Sequence, residues 1–156
     1  MTRTECTVTG KHLQREPAQD TTPEQPVISV SVPVSGETFE EYLQVGEETE
    51  LAAEDIDVVY RYQTPKDESP GAGVISAADK ITGRFIVEAN TEPDVISQLV
   101  ETAPEFAEET EQAPFAIEFT CDDDKTFRFD QYVLLVYGQD NSLLRERSLI
   151  PNNITV

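Results

Sequence analysis

Apolar residues in this chain recur either at every second position or at three- and four-residue intervals, the patterns of half-buried strands and of amphipathic helices. In PVISVSV (26–32), Ile28, Val30 and Val32 share one parity, and Ser29 and Ser31 take the other. The same alternation predicts strands over 56–63 (IDVVYRYQ) and 115–120 (FAIEFT). In ITGRFIVE (81–88) it places Phe85 and Val87 toward the core and Arg84, Ile86 and Glu88 opposite. Short strands are expected at Cys6-Thr7-Val8-Thr9 and Val74-Ile75-Ser76. The segment 126–137 alternates at Phe127 and Phe129, then becomes continuously apolar in YVLLVY, which predicts a central strand. A turn at Gly138-Gln139-Asp140-Asn141 leads into a last strand over 142–150.

Two helices break this series. Phe39, Tyr42 and Leu43 stand at i, i+3 and i+4. The second helix has Thr91 as its expected N-cap and Pro93 in its first turn. Its apolar stripe is Val95, Ile96, Leu99, Val100 and Ala103, and Pro104 is expected to end or kink it. The order is ββαββαβββ, give or take one short strand. That predicts a single α+β domain, mostly antiparallel sheet with two helices. Residues 26–120 alone read βαββαβ, a ferredoxin-like core to which a C-terminal hairpin is added. Residues 1–25 form a polar, partly flexible arm, and 26–156 the domain.

At 156 residues the chain has room for one core and needs no disulfide or metal to fold. Charge changes the picture most: 31 acids stand against 11 bases, a net charge of −20. Nine acids and no base occur over 37–57, and eight acids and no base over 88–113. Such a chain repels itself at ordinary salt, and molar salt shortens the Debye length to about 3 Å. With four lysines and no tryptophan, it reads as a protein adapted to saturated cytoplasmic salt. No apolar run reaches 18 residues and the amino terminus lacks an apolar signal core, so a cytoplasmic protein without a membrane span is expected. The glycosylation pattern at Asn153-Ile154-Thr155 is then a chance match.

Candidate chemistry is sparse. One histidine, His12, and two isolated cysteines, Cys6 and Cys121, do not make a zinc site, and no metal or cofactor is expected. Low cysteine use suggests a reducing compartment, with a Cys6–Cys121 bridge left open. CDDDK (121–125) sets a thiol beside three aspartates. It lacks the ligand pattern of a calcium loop and reads as a turn between strands. The three carboxylates disfavour a thiolate, which argues against a nucleophilic Cys121. Gly71-Ala72-Gly73 lacks the spacing and following Lys-Ser/Thr of a phosphate loop.

The scarce bases are the more informative residues. Arg61, Arg84 and Arg128 take the less apolar parity of their strands, and Arg145 and Arg147 bracket Glu146 on the last one. The simplest role for them is cross-strand pairing with Glu88, Glu118 or Asp130. The functional alternative is an arginine-bearing face, with Arg145, Arg147 and Arg128 as its candidate interaction surface. No basic and aromatic platform for single-stranded nucleic acid is present.

VVYRYQTP (58–65), GVISAADKITGRF (73–85) and YVLLVYGQDNSLLRERSLIP (132–151) resemble a group of small uncharacterised haloarchaeal proteins, a domain of unknown function. The likeness runs from about Ile56 to the end. It implies a halophilic archaeal source and supplies no activity, cofactor or catalytic residue. The expected function is a non-catalytic protein-interaction or small-ligand-binding domain, with another protein as the partner. The alternatives are an enzyme using carboxylates or Tyr60, Tyr62, Tyr132 or Tyr137 in a pocket, and a nucleic-acid-associated accessory protein.

Overall fold

The computed structural model describes residues 6–13, 24–43, 52–68 and 71–150. Ten elements follow in chain order: β1 (Thr7–Lys11), β2 (Val27–Ser31), α1 (Gly36–Tyr42), β3 (Ile56–Tyr62), β4 (Gly73–Asp79), β5 (Phe85–Thr91), α2 (Pro93–Thr110), β6 (Phe115–Thr120), β7 (Thr126–Gln131) and β8 (Leu135–Tyr137). Short 3₁₀ turns occupy Ala53–Asp55 and Arg145–Arg147. Much of the expected arm (14–23) and the Asn153-Ile154-Thr155 motif lie outside the described residues.

The α+β class holds, with two mixed sheets and two helices. The strands do not form the one sheet of a ferredoxin-like core. They divide into two four-stranded sheets ordered β1-β2-β6-β7 and β5-β4-β3-β8. Neighbours are antiparallel except β2 with β6 and β3 with β8, which run parallel. Parallel neighbours need a crossover. Here β3, β4, β5 and α2 lie between β2 and β6 in the chain, and β8 of the second sheet follows β7, so the two sheets interleave in sequence.

One core joins both sheets. Ile28, Val30, Ile117 and Phe119 from the first pack with Val58, Tyr60, Ile75 and Val87 from the second, and with Ile96, Leu99 and Ala103 of α2. Phe39 of α1 sits against Phe119 and Phe127 at ring separations of 5.0 and 5.3 Å. Leu43 is buried beside it; the Tyr42 side chain lies outside the described set.

Three predicted elements differ, each for a traceable reason. The apolar run 132–137 is a crossing between sheets rather than a central strand. β7 ends at Gln131, whose amide donates to the Ala53 carbonyl, and β8 starts at Leu135 in the other sheet. The expected last strand survives as two isolated bridges, Tyr137 to Leu143 and Leu134 to Leu149. Between them the Arg145–Arg147 turn interrupts the ladder, and the Ser148 hydroxyl takes over by accepting the Val136 N–H at 2.9 Å. Helix α2 runs through Pro104 to Thr110 because Phe106 beyond it is buried. Thr91 belongs to β5 rather than capping the helix: it pairs with Gly73, and its carbonyl accepts the Tyr60 hydroxyl at 2.8 Å.

Candidate interaction surface

The loop 79–84 between β4 and β5 is built around one carboxylate. Asp79 accepts the Ile81 N–H at 2.8 Å and the Thr82 hydroxyl at 2.8 Å. Burial works to raise its pKa, but the bonds from Thr82 and Ile81 and the Arg84 charge outweigh that and hold it below the ordinary aspartate value. Gly83 takes φ +77°, a left-handed conformation that favours glycine, and its N–H reaches the Asp79 carbonyl at 2.7 Å. The loop is therefore a shaped turn.

That turn inverts the expected pattern. The register slips between Ala77 and Ala78, and β5 enters with Ile86 and Val87 both buried. Phe85, predicted to face the core, is 61% exposed, and Ile81 is 59% exposed. Lys80 and Arg84 are exposed on the same turn. Tyr132, 57% exposed, completes the large exposed apolar residues among those described.

Ile81 and Phe85 lie at one end of the second sheet. Asp79 pairs with Ile56, and Ala78 with Phe85. Tyr132 directly follows Gln131, the last residue of β7 in the other sheet. Two bonds tie this end together: the Lys80 N–H donates to the Asp55 carbonyl at 2.9 Å, and the Gln131 amide to the Ala53 carbonyl at 2.9 Å. The sequence signal for the turn was present in Asp79 and Gly83. The slip that exposes Phe85 has no signature in the alternation.

The three predicted arginines are placed differently. Arg147 grips the loop after β3, donating to the Tyr62 hydroxyl and the Lys66 carbonyl, both at 3.0 Å, and to Asp67 at 3.2 Å. Its guanidinium also lies over the Tyr62 ring. Arg145 shares that 3₁₀ turn. Arg128 is on the outer face of the first sheet, opposite Glu118 in register, and bonds the Gln25 side chain. Lys11 reaches the same Glu118 at 3.3 Å. Arg61 lies over the Tyr137 ring. Of the cross-strand pairs expected with Glu88, Glu118 or Asp130, Arg128 with Glu118 is present at 3.9 Å.

A cleft of about 300 Å³ opens beside Arg147, lined by Pro65, Lys66, Gly138, Gln139, Asp140, Ser142 and Leu144. The Asp140 carboxyl is held low by the Ser142 hydroxyl and N–H, a bond that closes the β8 turn. Tyr60 lies in the core with its phenol pushed well above the ordinary range by burial, with Tyr62 adding.

CDDDK is a working turn. The Cys121 N–H bonds the Lys125 carbonyl at 2.9 Å, and Asp124 takes φ +64°. The Asp123 carboxylate accepts the Gly36 N–H at 3.1 Å, in the first turn of α1, while Lys125 pairs with Glu40 on the same helix. Burial, then Asp123 and Asp122, push the Cys121 thiol up, away from a reactive thiolate. Cys6 and Cys121 are both buried and are not joined in a disulfide. Among the described residues no group of three or more His, Cys, Asp or Glu is placed to hold a metal ion, and no helix is long and apolar enough to cross a membrane.

Fold and surface together define an acidic, two-sheet α+β domain with one apolar end. The chain belongs to the family of unknown function DUF5793, whose model matches residues 1–156. No curated protein and no solved structure matches it.

Proposed function

We propose that this chain is a non-catalytic protein-interaction domain of a haloarchaeal cytoplasm, and that it binds through the open end of its second sheet. The carrying observation is that Ile81 and Phe85, each more than half exposed, stand on one turn at that end. Clustered exposed apolar side chains are the kind of surface that interaction sites use. The Asp79 turn holds both on a rigid support, which lowers the ordering cost of binding. Arg145, Arg147 and Arg128 form the second candidate surface, weakened by the internal contacts of Arg147 and Arg128.

Capture from lysate of the source organism at matched salt tests the choice between them. Ile81→Ser/Phe85→Ser is expected to lose partners that wild type and Arg145→Glu retain. Identical partner profiles for wild type and the apolar-end variant would remove that end from consideration.

The salt reading has its own test. With 31 acids against 11 bases, screening should govern folding. Far-UV circular dichroism is expected to gain native signal as KCl rises toward molar concentration. A full native spectrum in dilute buffer would overturn halophilic adaptation.

A further inference from the structure

We infer that the cleft beside Arg147 is a binding site for a small zwitterion, an α-amino acid with an aliphatic side chain. The cleft lies at the other end of β3 from Ile81 and Phe85, so the inference does not depend on that surface. β3 and β8 are the parallel neighbours of the second sheet. Pro65 and Lys66 follow the first, and Gly138 to Ser142 follow the second, so the cleft opens beyond the carboxyl ends of both. That is where ligands settle against parallel strands. Its volume, about 300 Å³, is at the small end of the range for ligand pockets.

Both walls are set before any ligand arrives, which lowers the cost of binding. Arg147 holds one wall by the Lys66 carbonyl at 3.0 Å, and the Gln139 amide crosses to the Gln63 carbonyl at 3.2 Å. Gly138 keeps the space open. A Cβ there would stand 2.9 Å from Asp140 Oδ1 and 3.8 Å from Leu144 Cδ1. The lining then offers one charge of each sign. The Asp140 carboxylate accepts the Ser142 N–H and hydroxyl through Oδ1, which leaves Oδ2 to take an ammonium group. The same two bonds keep it ionised. Lys66 carries three donors, and its exposed pair with Glu146 is long, at 3.7 Å, and worth little. A ligand carboxylate can take Lys66 from Glu146. Pro65 and the buried Leu144 supply an apolar wall for a side chain. A lone anion would face Asp140 and a lone cation would face Lys66, whereas a zwitterion satisfies both. Charges in contact still interact in molar salt, where the Debye length is about 3 Å.

The experiment is a titration of the full chain in molar KCl, followed by amide chemical shifts, with leucine as the probe. Leucine is expected to shift the Gly138, Gln139 and Ser142 amides saturably. Its relatives with one charge removed, isocaproate and isoamylamine, are expected to bind about tenfold or more weaker, the worth of one charge-assisted hydrogen bond. Lys66→Gln should weaken leucine binding to a similar degree. Glu146→Gln removes the competitor for Lys66 and should tighten it. Far-UV circular dichroism of each variant verifies the fold. No saturable shift with leucine, a relative that binds as tightly as leucine, or unchanged binding by Lys66→Gln overturns the inference. Each of those results leaves the reading of Ile81 and Phe85 as an interaction surface standing, since that surface is tested by capture and not by leucine.

Discussion

The Asp123 carboxylate accepts the Gly36 backbone N–H at 3.1 Å, tying the β6–β7 turn to the first turn of α1 across 87 positions of sequence. Ser35 caps the same helix through the Thr38 N–H. Asp123 therefore satisfies an amide that the local cap leaves open, and a negative charge is favoured at that end.

Asp123→Ala should cost about 0.5–2 kcal/mol, the usual range for a lost cap. Its neighbour makes the control. Asp124 sits at φ +64°, so Asp124→Val should cost a further 1–2 kcal/mol or so, while Asp124→Gly should be close to neutral. Denaturant unfolding at fixed KCl measures all three. Equal losses for Asp123→Ala and Asp124→Gly would show that the turn, and not the carboxylate, is what matters.

Tyr60 and Gly73 lock together. A Cβ on Gly73 would stand 2.1 Å from the Tyr60 hydroxyl oxygen and 2.3 Å from its ring. Gly73→Ala is expected to cost about 1–3 kcal/mol by overpacking. Tyr60→Phe leaves the Thr91 carbonyl without its donor, at about 1–2 kcal/mol. The double variant should lose less than the sum, since removing the hydroxyl relieves the closer contact. A double-mutant cycle with strict additivity would contradict this coupling.

Asp79 gives a pH dependence of definite sign. Its folded pKa lies below the ordinary value, so its contribution is fully present above pH ~4 and is lost as pH falls through the folded value. Relative to Asp79→Asn, wild type should be more stable by roughly 1.5–3 kcal/mol at neutral pH, from hydrogen bonds to a charged acceptor. That advantage should shrink steadily in acid. An advantage constant from pH 7 to pH 3 would rule out the charged carboxylate as its source.

Arg147 makes three bonds in a planar fork that lysine cannot reproduce. Both Arg147→Ala and Arg147→Lys should therefore loosen the loop over 63–68 and speed its amide exchange. The expected stability loss is about 1–2 kcal/mol. Rescue by lysine to wild-type protection would show that charge alone suffices there.

Much of this was written in the sequence. Period-two alternation located β2, β3 and β6, and helical spacing located Ile96, Leu99 and Ala103 on the buried side of α2. CDDDK declared itself a turn because aspartate tolerates that geometry, and the neighbouring carboxylates already argued against a reactive Cys121. These are local matters, settled by steric preference and by which side of an element is apolar.

What the tertiary structure alone decided depends on partners distant in sequence. Alternation says which face of a strand is buried but not which strand lies beside it. Hence two sheets where one was expected, and a crossing at Tyr132 where a central strand was expected. Phe85 turned outward because the register slips between Ala77 and Ala78, and a slip exchanges the faces of every residue beyond it. Ile81 and Phe85 stand exposed on one turn only because the β4–β5 pairing slips there, an outcome of register that is invisible to local pattern.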